Sequence, residues 1–146
     1  MSLATVRLEM MSRYAQLSGV VVPQDPLPTQ IADKSIIIFP RIGESNLIGR
    51  GSTRTSVSIR VDDVMQIEYH RRIPYEELGT TFPDISTMID TIEEVAWGEL
   101  AGGKFNGSVL NITRVALLHF GAIGWNEWTF GARLEVAFTH LKDVSS

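Results

Sequence analysis

The residues able to carry chemistry in this chain are few and badly spaced for it. His70, His119 and His140 fall in three separate stretches, and no two of them stand in HxH or HxxxH spacing. Such spacing would set two ligands on one strand or helix face, and without it the three histidines are expected to be ordinary sheet residues. Adjacent Asp62 and Asp63 could attract a divalent ion, though a solvated bend is the simpler use for two neighbouring carboxylates. The run GESNLIGRGST invites comparison with a phosphate-binding loop. Arg50 stands where that loop carries lysine, the glycine spacing is wrong, and a strand pattern follows instead of a helix. Ser108 lies in FNGSVLN, which lacks the GxSxG elbow of a hydrolase nucleophile. No cysteine is present, which removes disulfides, zinc–thiolate sites and thiol catalysis. Two formal glycosylation sequons begin at Asn106 and Asn111, and Asn106-Gly107 reads better as turn chemistry. No catalytic residue, cofactor site or metal site is expected.

What remains suits contact with a partner. His70-Arg71-Arg72 is one small basic cluster, and Arg41, Arg50 and Arg54 form another. These are either solvated charges or partners for the acidic surface of a neighbouring subunit, such as the helix face holding Glu93, Glu94 and Glu99. Trp125 and Trp128 flank a turn, where both cannot be deeply buried in their own domain, and large aromatics at turns suit interfaces. The candidate interface set is therefore Ile48, Arg50, Arg54, Arg71, Arg72, Trp125 and Trp128.

The element that organises the chain is the stretch TSVSIRVDDVMQIEYHRRI, residues 55 to 73. Val57, Ile59, Val61, Met65, Ile67, Tyr69 and Ile73 alternate with mostly polar neighbours, the period of a strand with one face on a core and one in water. At ~3.3 Å per residue the stretch would run roughly 60 Å, against a diameter of about 40 Å for a compact chain of this length. It must bend, break or leave the body, and Asp62-Asp63 is the expected bulge.

The other elements follow from periodicity. Leu3, Val6, Met10, Tyr14 and Leu17 make an amphipathic helix, with Gly19 placed for a left-handed C-cap. The run PQDPLPTQ excludes helix and central strand and is an extended connector. Ile36 to Phe39 is a short strand buried on both faces. Arg41 to Arg54 is the long mobile loop of a hairpin. Pro74 and Pro83 bracket an irregular connection. A helix then runs from Asp84 on the stripe Ile85, Met88, Ile89, Ile92, Val95 and Ala96, ending before Gly102-Gly103. Val109 to Phe120 is a strand, Gly121 to Asn126 a turn, and Thr129 to His140 a strand with Phe130, Ala132, Leu134, Val136 and Phe138 on its apolar face. The expectation is a single α+β domain over residues 1–146, with about four mainly antiparallel strands and two helices on one face, in the order α-β-β-α-β-β.

Composition bounds the partners. A formal charge of −4 argues against a dedicated nucleic-acid binder. The longest apolar runs, Val115 to Leu118 and the equally long Ile36 to Phe39, are far too short to span a membrane. The first residues lack the apolar core of a signal peptide, which predicts a soluble protein made in the cytosol of the host.

The opening helix, the hairpin with RVDDVMQIEYHRRIP, the helix DISTMIDTIEEVAWGEL and the closing strand EWTFGARLEVAFTH together resemble the tail terminator proteins of long-tailed bacteriophages and the related neck proteins. The resemblance covers most of the chain and lies in the order, length and strand character of its elements. It implies an α+β subunit of a six-fold homo-oligomeric ring in the virion that caps the tail tube and presents a surface to the head connector. It also implies no catalytic residues or cofactors, and DNA that only passes through the bore, where an acidic lining lets a polyanion slide. Two other readings stand beside it: a neck adaptor ring between portal and tail, and a small enzyme or ligand-binding α+β domain.

Overall fold

The computed structural model describes residues 3–24, 31–40, 51–54, 58–72, 78–123 and 129–143. Its order is α1 (Leu3–Tyr14), β1 (Ser35–Pro40), β2 (Gly51–Arg54), β3 (Ser58–Arg72), α2 (Leu78–Ala101), a short turn α3 (Lys104–Gly107), β4 (Asn111–Ala122) and β5 (Thr129–Asp143). This is an α+β fold with an N-terminal and a central helix. The five strands are antiparallel and occupy four positions across the sheet, β1-β3-β5-β4, with β2 joining β3 beside β1.

β1 and β2 lie end to end along the same edge of β3. Pro40 pairs with Met65 and Gly51 with Asp62, so two β3 residues, Asp63 and Val64, separate the two pairings while ten residues of the chain lie between them. Those ten, residues 41–50, lie outside the described set, and with them Ile48 and Arg50. The expected loop from Arg41 to Arg54 is thus corrected at its end, because Gly51–Arg54 is ladder and not loop.

The expected break in the long strand is overturned. β3 pairs with β5 over all fifteen residues, through Asp62 and Asp63 without a register shift. The carboxylates are accommodated because each meets a donor across the ladder. Thr139 Oγ1 donates to Asp62 Oδ1 at 2.7 Å, and His140 Nε2 lies 3.2 Å from Asp63 Oδ2. The length is accommodated because β5 is just as long, so β3 leaves its domain nowhere along its described course.

The helices cover one face of this sheet. Val6, Met10 and Tyr14 of α1 and Ile85, Ile89, Ile92, Val95 and Ala96 of α2 pack with Ile36, Ile38, Met65, Ile67, Tyr69, Leu134, Val136 and Phe138. Both helical stripes are those the sequence predicts, but two ends differ. α1 stops at Tyr14, after which the chain tightens into turns closed by Gln16 N–Arg13 O and Leu17 N–Tyr14 O bonds. Gly19 does adopt the left-handed conformation, at φ 78°, beyond those turns. α2 begins at Leu78 and carries Pro83 inside it. A proline this near the N-terminus removes only one intrahelical bond, so the first turn survives ahead of it.

After α2 the chain reverses through a left-handed turn, with φ of 51° at Lys104, 48° at Phe105, 57° at Asn106 and 73° at Gly107. The turn drives Phe105 into the core beside Tyr14, the ring centroids 6.3 Å apart. Left-handed backbone costs a non-glycine residue about 1–2 kcal/mol. Lys104 is exposed, so Lys104→Gly removes that strain and no packing. It is expected to raise stability by about 0.5–1 kcal/mol once glycine's larger unfolded-state entropy is subtracted, read as a higher urea midpoint.

The second face of the sheet is the larger departure from expectation. Alternation predicts water on the side of Glu68, His70, Thr129, Glu135 and Thr139, yet all five are buried. β1 is buried on both faces as predicted, with Ile37 and Phe39 packing on Ile31 on this second side.

Candidate functional site

The polar rows of β3 and β5 meet on that second face. Glu68 stands directly opposite Arg133 in the ladder, and Arg133 Nε donates to Glu68 Oε2 at 2.6 Å. Gln66 and His70 flank Glu68 on the same face of β3, since residues two apart share a side. Gln66 Nε2 donates to Oε2 at 3.2 Å, and His70 Nε2 lies 3.0 Å from Oε1. On the neighbouring rung Arg114 Nη1 reaches buried Glu135 Oε1 at 3.1 Å.

Burial alone would push the Glu68 carboxyl up. The hydrogen bonds from His70 and Arg133 and the Arg133 charge outweigh it and hold the group at about 2. Glu68 is therefore an anion at neutral pH and a poor proton donor or base there. What the arrangement does is hold a register. One slipped residue would strand a buried carboxylate without its guanidinium.

A second cluster ties the sheet end to α2 and to the segment before β1. Arg71 Nη1 donates to Asp84 Oδ2 at 2.6 Å and Tyr69 Oη to the same oxygen at 2.8 Å. Arg71 Nε and the backbone N–H of Arg72 donate to Asp33 Oδ1 at 2.9 and 3.0 Å. Partial burial raises the Asp33 carboxyl, but these bonds and that of the Lys34 N–H bring it below its ordinary value. Arg72 is exposed and reaches the Ile31 carbonyl at 3.4 Å through Nη1.

The sequence-based candidates separate on this geometry. Arg71 finds its two carboxylates within its own chain, Asp33 and Asp84, and neither belongs to the α2 face of Glu93, Glu94 and Glu99. Arg72 is accessible. Arg54 lies in β2 opposite Ile59. Trp125 and Trp128, like Ile48 and Arg50, lie outside the described residues. The three histidines sit on three strands as expected. His70 is beside Glu68, His140 beside Asp63, and exposed His119 is 2.7 Å from the Ala122 carbonyl.

Sequence reasoning missed the Glu68 network because its signal, polar residues at every second position, is also that of a solvated strand face. The pairing Glu68–Arg133 across the ladder is the only mark that separates the two, and it requires the register. Among the described residues no group of three or more His, Asp or Glu side chains is placed to hold a metal ion. No helix among them is long and apolar enough to cross a membrane. No family model and no curated protein matches the chain.

Proposed function

We propose that this chain is a structural subunit of a bacteriophage tail, a terminator that closes into a homo-oligomeric ring, caps the tail tube and offers the head connector its docking surface. The observation that supports the reading best is the architecture. An N-terminal helix and a central helix lie on one face of an antiparallel sheet built around two fifteen-residue strands, the arrangement expected from the resemblance. The acidic balance of the chain suits a bore through which DNA passes without adhering. The ring is six-fold by the same resemblance, its partners are the tube protein and the head connector, and its place is the virion.

The test is to add the purified protein to uncapped tail tubes and image the ends by electron microscopy. Density confined to one tube end, with arrested tube growth, is the expected result. A protein that neither binds tube ends nor self-associates at high concentration overturns the reading.

A further inference from the structure

We propose that Asn106–Gly107 is a self-modification site, at which the chain deamidates through a cyclic imide when the left-handed turn after α2 opens and is protected while that turn is closed. The inference does not rest on the tail reading. The chain holds four asparagines, and Asn106 alone precedes glycine. Asn46, Asn111 and Asn126 precede Leu47, Ile112 and Glu127. A side chain on the following residue crowds its own amide nitrogen, and glycine has none.

The nucleophile is the Gly107 backbone nitrogen. It loses its proton to a solvent base and attacks Asn106 Cγ. The new C–N bond closes a five-membered imide, and the side-chain nitrogen takes up a proton and leaves as ammonia. Water then opens the imide. Opening at Cγ gives aspartate, and opening at the main-chain carbonyl gives isoaspartate, with the chain routed through the former side chain. Water enters and ammonia leaves, so the step needs no oxidant or reductant.

Access does not limit this reaction in the folded protein. Asn106 and Gly107 are both exposed, and a Cβ built on Gly107 meets nothing within 4 Å. Conformation limits it. The Gly107 N–H donates to Gly103 O at 2.8 Å, so the nucleophile must give up a hydrogen bond before it can give up its proton. Asn106 is held at φ 57° and ψ 38°, which points the Gly107 nitrogen away from the side chain it must attack. Ring closure needs rotation about that ψ.

The neighbours resist the rotation. Phe105 is 1% exposed and sits beside Tyr14, ring centroids 6.3 Å apart. The N–H groups of Ser108 and Val109 donate back to Phe105 O at 3.1 Å and Lys104 O at 3.3 Å. The next N–H, that of Leu110, donates to Thr139 O of β5 at 2.7 Å. The turn is thus pinned on one side by the core and on the other by the sheet. Imide formation waits on a local opening that unseats Phe105.

The test holds the wild type folded in mildly alkaline buffer, and unfolded at the same pH in guanidinium chloride. Amide-to-acid conversion at each asparagine is followed by peptide mapping and mass spectrometry. In the unfolded chain Asn106 is expected to convert ahead of Asn46, Asn111 and Asn126. In the folded chain its rate is expected to fall by roughly tenfold or more, tenfold being the factor set by an opening cost of about 1.4 kcal/mol. Phe105→Leu keeps an apolar anchor but fills less of its site. With circular dichroism confirming that it is folded, it is expected to convert faster than the folded wild type. Equal rates in the folded and unfolded wild type, or an unfolded chain that does not favour Asn106, overturn the proposal. So does a folded Phe105→Leu protein that converts no faster than the wild type.

Discussion

Replacing Gly131 with alanine is expected to prevent the chain from folding. Gly131 lies in β5, opposite His70 of β3 on one side and Gly121 of β4 on the other. A Cβ built on it would overlap the carbonyl oxygen of Tyr69, with the carbonyl carbon 2.9 Å away and Ile123 Cδ1 at 3.0 Å. Overpacking in a core usually costs about 1–3 kcal/mol because side chains can shift. Here the obstacle is backbone, held by ladder bonds on both sides of Tyr69, so relief requires opening the β3–β5 pairing. A loss above about 5 kcal/mol is expected, comparable to the whole stability of a domain of this size. Urea unfolding checks it. The control is Gly98→Ala, on the exposed face of α2, where an added Cβ meets nothing within 4 Å. That substitution should stabilise by about 0.5–1 kcal/mol through helix propensity. A folded Gly131→Ala protein with wild-type stability would show that the two strands do not approach as described.

The second large effect belongs to Glu68. Its side chain is 2% exposed, and its removal leaves Arg133 Nε and His70 Nε2 without their acceptor. Removing one partner of a buried pair costs about 3–5 kcal/mol. The Arg133 side chain is 35% exposed and reaches water, which places Glu68→Ala at the lower end, about 3 kcal/mol. The pH dependence has a definite sign. The folded carboxyl sits at about 2, below its ordinary 4.5. The folded state therefore binds this proton more weakly than the unfolded chain does. Its contribution is fully present above about pH 4.5 and is lost as the pH falls through 2, on the order of 3 kcal/mol in all. Urea midpoints measured across that window should fall steeply for the wild type. In Glu68→Gln, which keeps the shape without the charge, this part of the slope should be absent. Equal slopes would mean that Glu68 is not held as an anion in the folded protein.

Periodicity was enough to find the helices and to say which of their residues turn inward. The stripe from Ile85 to Ala96 and that of Val6, Met10 and Tyr14 are buried where the sequence puts them, because a helix repeats every 3.6 residues and its apolar face is a local property. The apolar face of β5 and the double burial of β1 were legible for the same reason. Element ends were less so, since Pro83 weakens a helix without forbidding the turn ahead of it.

What lay beyond the sequence depends on which strand stands beside which. Glu68, His70, Glu135 and Thr139 look solvated along the chain, and only the β3–β5 register brings Arg133 to Glu68 and makes their burial tolerable. The same register gives Asp62 and Asp63 their donors and so keeps unbroken the pairing of a strand whose composition predicts a break. Gly131 and the exposed Leu117 are likewise unremarkable as letters. One is required by a neighbouring backbone and the other bared at the sheet's last edge. Local periodicity determined which residues are apolar together; the cross-strand register, a relation between residues some 65 positions apart such as Glu68 and Arg133, decided which polar ones could be buried.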